Sequence, residues 1–223
     1  MTAIEKVAAA APGGTLWFQF YMWPDRSLSH QLVARAKDAG AEALVFTVDT
    51  VVAPGREYNL RNGFTIPFKF TRRNVLDVMM HPRWLFGVLV RYLLTTGAPR
   101  YMNFPPHMQT RVGALPMGRS VQSNASINWD DVRELRKLWP GKLIVKGIHH
   151  AQDAVKAADC GADAVVISNH GGRVLDAASV PILTLPSVVD AVGKRITVIV
   201  DSGFNRGAHV VKALALGAHA VML

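Results

Sequence analysis

The stretch "DCGADAVVISNHGGR" (Asp159–Arg173) decides the fold class. Its first part is a helix end, a Gly-Ala turn, one polar residue and an unbroken apolar run. Glycine just past a helix adopts the left-handed cap conformation, and a short loop then feeds a strand. Two other segments repeat the pattern, "DAGAEALVFT" (Asp38–Thr47) and "ALGAHAVML" (Ala215–Leu223). Their apolar runs are continuous rather than alternating, which is the pattern of parallel strands covered by helices. Further strands are predicted at "TLWFQFY" (Thr15–Tyr21), "LIVKGI" (Leu143–Ile148) and "ITVIVD" (Ile196–Asp201). Helices are predicted between them, around Ser29–Asp38, Trp129–Leu138, Gln152–Ala158, Leu185–Val192 and Gly207–Leu216. Strand and helix alternate throughout, so the class is α/β.

Polar residues gather where these strands end: Gln19 and Tyr21, Thr47 and Asp49, Lys146, Ser168 and His170, and Asp201. A doubly wound sheet would concentrate them at one switch point, whereas a (β/α)8 TIM barrel draws its site from many strand ends. The barrel is therefore expected. Six strands are legible where a barrel has eight. The chain opens on a helical stretch ending at Pro12-Gly13-Gly14, and the third repeat stops where its siblings carry Thr47 and Ser168. The reading is a barrel truncated at both ends.

At 223 residues and 50% hydrophobic, the chain can bury one sizeable core, and its 18% charged residues argue against disorder. One domain is expected over 1–223. The single cysteine, Cys160, precludes an internal disulfide and reads as a packing residue of a reducing compartment. No signal peptide is legible in "MTAIEKVAAAAPGG", so a cytoplasmic location is expected. The net charge of +9 is local: ten Lys or Arg lie between Arg56 and Arg119 against only Glu57 and Asp77. The region of about 65–126 is too long for a βα loop and reads as a basic insertion. Within it, Trp84–Leu94 is apolar apart from Gly87 and Arg91. It is too short to span a bilayer. It is read either as an interfacial stretch on the inner face of the cell membrane, drawn to anionic lipid, or as a helix packed on the barrel with a basic outer face. No nucleic-acid-binding motif accompanies the charge, so nucleic acid is not an expected partner.

"SNHGGR" (Ser168–Arg173) is the chemically suggestive loop. Its glycines allow close backbone approach to a ligand, His170 can take a proton near neutral pH, and Arg173 offers a planar fork for a carboxylate. Asp49 beside a histidine would fix the ring and stabilise its charged form, unless it is simply a turn cap. Arg56 makes a two-point clamp for an anion plausible, though a lone loop arginine is usually a solvated charge. Lys146, among apolar neighbours, either points into the barrel mouth, where it would stabilise a developing anion, or snorkels to the rim. "DSGFNRG" (Asp201–Gly207) precedes a helix and offers an anion site to which Arg206 adds charge. No metal-ligand cluster is expected.

In order, "WFQFYMWPDR", "TVDTVVAPGREYNLRNGF", "VKGI", "SNHGGRVLD" and "DSGFNRGAHVVKALALGA" resemble the FMN-dependent 2-hydroxy acid dehydrogenases and oxidases, over nearly the whole chain. That family includes L-lactate dehydrogenase, mandelate dehydrogenase and glycolate oxidase. The resemblance implies a barrel with FMN at its mouth and a small L-2-hydroxy acid as substrate. It implies His170 as the base, Asp49 orienting it, Arg173 and Arg56 on the substrate carboxylate, and Tyr21 near the substrate oxygens. Gln19, Thr47 and Ser168 would meet the flavin ring. Lys146 would neutralise its reduced form, and Asp201, Gly203 and Arg206 would address the ribityl and phosphate end. A quinone or other electron acceptor and a homo-oligomeric full-length parent are also implied. Asn205 stands where the family pattern has arginine, which puts one phosphate contact in doubt. The competing expectations are a truncated, inactive relative that binds no FMN alone, and a basic binding module.

Overall fold

The computed structural model describes residues 2–50, 57–64, 69–111 and 125–223. In chain order the first elements are α1 (Ile4–Ala10), β1 (Trp17–Phe20), α2 (Arg26–Asp38) and β2 (Ala43–Thr47). A helical stretch follows: α3 (Glu57–Arg61), α4 (Arg72–Met80), α5 (Pro82–Trp84), a π-helical turn (Leu85–Val90) and α6 (Arg91–Thr96). The strand-helix alternation then resumes with α7 (Trp129–Leu138), β3 (Lys142–Ile148), α8 (Ala151–Asp159) and β4 (Ala164–Ile167). It ends with α9 (Pro181–Val192), β5 (Thr197–Val200), α10 (Gly207–Ala215) and β6 (Ala220–Val221). The chain divides into two compact units, residues 8–55 with 120–223, and residues 1–7 with 56–119.

The larger unit is a six-stranded sheet in the order β1-β2-β3-β4-β5-β6, with every neighbouring pair parallel. Sequential order with a helix between successive strands is the (β/α) barrel arrangement anticipated from the polar residues at the strand ends. Successive side chains of a strand face opposite ways. Ala43, Val45, Ile144, Ala164, Val166 and Ile199 therefore form one buried face, and Met222 packs against it. On the other face Leu44, Phe46, Leu143, Val145, Val165, Ile167, Val198 and Val200 are buried. The helices contribute the buried residues Leu32, Val33, Ala36, Val132, Leu135, Ala154, Ala157, Leu185, Val188 and Val192. Each large aliphatic side chain so removed from water contributes about 1.5–3 kcal/mol before conformational entropy is counted.

Local chemistry fixes the helix starts. Asn128 and Asp131 form a capping box at α7, and Arg26, the first residue of α2, grips the same Asp131 carboxylate through Nε and Nη2, both at 3.0 Å. Each orphan N–H of a first turn needs such an acceptor. α9 begins at Pro181, four residues before the predicted start. Proline at the first helical position loses nothing, because that N–H has no partner in a helix. The strands are shorter than predicted at β1 and β5, so Tyr21 and Asp201 stand just beyond their strands, in the loops.

In the smaller unit Thr71 and Asn74 form a capping box at α4. Asn103 ties the N-terminal residues down, accepting from Ile4 N at 3.1 Å and donating to Thr2 O at 3.3 Å. No residue from Arg72 to Thr96 is buried. The apolar face of this helical run, including Leu76, Met79, Phe86 and Leu94, is solvent-exposed.

Candidate active site

β4 is buried along its whole length and delivers Ser168, itself fully buried, to the C-terminal rim of the sheet. The chain then makes three consecutive left-handed residues, His170 (φ 57°), Gly171 (φ 69°) and Gly172 (φ 69°). His170 and Ser202 (φ 74°) are the non-glycine residues with positive φ among those described, and both sit here. Such backbone strain persists only where the surroundings over-determine it. The constraints are visible. Ser168 Oγ accepts from His170 N (3.1 Å), Asn169 Oδ1 from Gly172 N (3.2 Å) and Ser202 Oγ from Gly171 N (3.1 Å). Arg173 Nε donates back to His170 O at 3.0 Å.

The loop presents the His170 ring to Asp49 from the end of β2, with Nδ1 to Oδ1 at 3.0 Å across 121 residues of sequence. The Asp49 side chain is 6% exposed and that of His170 12%. With Nδ1 committed to a carboxylate, Nε2 is the nitrogen left to exchange a proton with a ligand. Asp49 Oδ2 is buried without a hydrogen-bond partner among the described residues.

Lys146 points along the inner face of β3 to the same rim. Its ammonium donates to Ser168 Oγ at 2.8 Å and pairs with the Asp201 carboxylate. Asp201 Oδ1 also accepts from Ser202 Oγ at 2.8 Å. On the other side Gln19 Nε2 donates to Thr47 Oγ1 at 2.8 Å, linking β1 to β2. Tyr21 interacts with Gln19, Thr50, Asp49 and Arg173. Burial, with the Asp49 charge, raises its pKa above the ordinary 10.0 despite the opposing Arg173 charge and hydrogen bonds with Gln19 and Thr50. Its hydroxyl is therefore a proton donor throughout the physiological range.

A cleft of about 360 Å³ opens at this rim, lined among others by Lys146, His170, Arg173, Asp201, Gly203 and Asn205. Its size lies within the range of small-molecule sites. Thus His170, Asp49, Tyr21, Arg173, Lys146, Ser168, Asp201, Gly203, Gln19 and Thr47 come from five strand ends to one rim. Arg56 lies outside the described residues. Arg206 is the exposed N-cap of α10 and is not a lining residue of the cleft, whereas Asn205 is. The sequence reading missed Ser202, which braces both Gly171 and Asp201, and Gly147. Gly147 was quoted only as part of "VKGI", although a glycine inside an apolar strand is itself a bulge signal.

Residues 1–223 match the family model for FMN-dependent dehydrogenases. The chain belongs to this FMN-dependent dehydrogenase family. It is 43% identical over 221 residues to the (S)-mandelate dehydrogenase of Pseudomonas putida, covering 99% of this chain and 54% of that one. It is 41% identical over 219 residues to the L-lactate dehydrogenase of Caulobacter sp. (strain K31), covering 97% and 55%. A crystal structure of (S)-mandelate dehydrogenase described as a monotopic membrane protein superposes with a TM-score of 0.87 at 40% identity, over 99% of this chain and 57% of that one. The chain spans about half the length of the relatives it matches.

The rim of this FMN-dependent dehydrogenase chain fits FMN on its own geometry. Lys146 brings a cation to the mouth. Gly203 (φ 82°) has open space where a Cβ would stand, so the backbone of its loop can approach a ligand.

Proposed function

We propose that this protein oxidises a small L-2-hydroxy acid, lactate- or mandelate-like, to the 2-oxo acid with FMN. The observation that carries the proposal is the buried Asp49–His170 pair facing the same cleft as Lys146 and Arg173. The oxidation removes two electrons and two protons from the substrate. FMN, when bound, would supply the sink for the two electrons and for the proton that His170 does not take. His170 Nε2 takes one proton, from the α-carbon or from the hydroxyl, and Asp49 stabilises the imidazolium that results. Arg173, joined by Arg56, holds the substrate carboxylate. Tyr21 donates a hydrogen bond from its hydroxyl to a substrate oxygen and keeps its proton. Gln19, Thr47, Ser168 and Lys146 would hold the flavin ring, with Lys146 contributing positive charge where electron density arrives. Asp201, Gly203 and Arg206 would hold the ribityl-phosphate end.

Peripheral membrane association is a second part of the proposal, favoured by one observation: the exposed apolar face of α4–α6 among arginines. No helix among the described residues is long and apolar enough to cross a membrane. An interfacial helix fits such a face. Electrons would then pass to a quinone or another acceptor.

The test is a visible spectrum of the protein mixed with excess FMN and desalted, followed by L-lactate or (S)-mandelate without oxygen. Retained flavin absorbance that bleaches with substrate supports the proposal. Absorbance that never bleaches with any small 2-hydroxy acid, or flavin that does not stay bound, contradicts it.

A further inference from the structure

The edge of β3 carries an irregularity beside the Asp49–His170 pair. Lys146 is opposite Val166 on β4 while Ile148 is opposite Ile167, so the register shifts by one residue at Gly147. This bulge keeps Lys146 facing the cleft while returning Ile148 to a buried position. Gly147 itself has φ +103°, a conformation side-chain-bearing residues rarely adopt. A Cβ there would stand 2.7 Å from Asp49 Cβ, 2.8 Å from Asp49 Cγ and 2.9 Å from Asp49 N. All three distances are shorter than atoms tolerate, and the third is to backbone. Rotating the aspartate side chain therefore cannot relieve the collision. Nor can the β2 exit simply slide away, because Val48 N is bound to Lys146 O at 2.9 Å, each one residue before a member of the clashing pair.

We infer that Gly147 is a positioning residue for the proposed reaction: the space left by its missing side chain is the space Asp49 occupies when it orients His170. The inference rests on the functional reading above. Any side chain at 147 displaces the Asp49 carboxylate and breaks its 3.0 Å contact with His170 Nδ1.

Gly147→Ala in the FMN-loaded protein tests this. A misplacement of about 1 Å in a catalytic array costs roughly a hundredfold, so the limiting rate of substrate-driven flavin reduction should fall by about that factor. FMN stays bound, and the half-saturating substrate concentration changes by less than about threefold. Independently of turnover, the hydrogen-bonded Nδ1–H proton of His170, assigned by its loss in His170→Asn, should vanish from the downfield NMR spectrum. Gly40→Ala is the control for backbone strain alone. Gly40 has φ +82° with nothing near its missing Cβ, so that variant loses stability yet keeps both the rate and the proton signal. In an Asp49→Ala background, Gly147→Ala should add less than about threefold, because the group it displaces is gone. Should Gly147→Ala alone fail to fold, Asp49→Gly/Gly147→Ala removes two of the three clashing atoms and is expected to fold. A Gly147→Ala protein with the proton signal and rate intact, full additivity with Asp49→Ala, or a double variant that also fails to fold would overturn the inference. If Asp49→Ala leaves the rate unchanged, it is the functional reading that fails, while the proton signal still tests the geometry.

Discussion

Asp49→Asn should separate catalysis from folding in one substitution. The exchange keeps shape and removes charge. In the transition state His170 gains a proton and becomes an imidazolium 3.0 Å from the Asp49 carboxylate. Two unit charges at that distance attract by about 5–6 kcal/mol at an effective dielectric of ~20. Desolvation offsets part of this, leaving about 3–5 kcal/mol of attraction that the uncharged amide forgoes once the imidazolium has formed. At 1.36 kcal/mol per decade, that is a loss of roughly 10²–10⁴ in the rate of the chemical step. Stability should change far less than the rate. The second oxygen, Oδ2, is buried without a hydrogen-bond partner among the described residues, and Asn keeps the shape and an amide oxygen that can still accept from His170 Nδ1. The assay is anaerobic stopped-flow reduction of bound flavin by substrate, with thermal unfolding of the same samples. The expected pattern is a large loss of rate with the protein still folded at the assay temperature. A loss below about threefold would refute the reasoning, as would a rate loss wholly explained by unfolding.

Two further outcomes are expected. Asp163 is partly buried, which alone would raise its pKa, but the Leu143 N–H, Arg136 and Lys142 hold it below the ordinary 3.8. A depressed folded pKa adds stability that is present above the unfolded value and lost as pH falls through the folded one. Asp163→Asn should therefore lower Tm by a few degrees at pH 7, at about 2–4 °C per kcal/mol, and the gap should close as pH falls below about 4. A gap unchanged by acid would contradict this. Replacing exposed Phe86 and Leu94 by serine should weaken co-sedimentation with anionic phospholipid vesicles by at least about tenfold, since each buried apolar side chain is worth about 1.5–3 kcal/mol. Equal sedimentation of variant and parent would remove the membrane part of the proposal.

The fold was readable because each Gly-Ala turn announces a helix end and a strand start, and local cap chemistry does not depend on distant contacts. The polar residues at strand ends were readable for the same reason, since strand direction and period two place them on one rim. The helix α9 was predicted to start four residues late because Pro181 looks like a breaker, although a proline at the first helical position removes no helical hydrogen bond that exists. The pairing of Asp49 with His170 needed the resemblance or the tertiary structure, because nothing local joins residues 121 apart. Gly147 was hidden for a sharper reason. A glycine inside "VKGI" reports only that something approaches closely, and only the structure shows that the neighbour is Asp49. The exposed face of α4–α6 was also undecidable from sequence, since an amphipathic pattern is the same whether its apolar side meets protein or lipid.

The central claim is that His170 moves a substrate proton at the mouth of an FMN-binding barrel. The most direct measurement is single-turnover flavin reduction, without oxygen, in His170→Ala beside the parent protein, with bound FMN quantified first. The account predicts equal FMN binding and a reduction rate lower by at least roughly 10² in the variant, the lower end of the range for a positioned general base. A His170→Ala protein that binds FMN and is reduced by substrate as fast as its parent would contradict it.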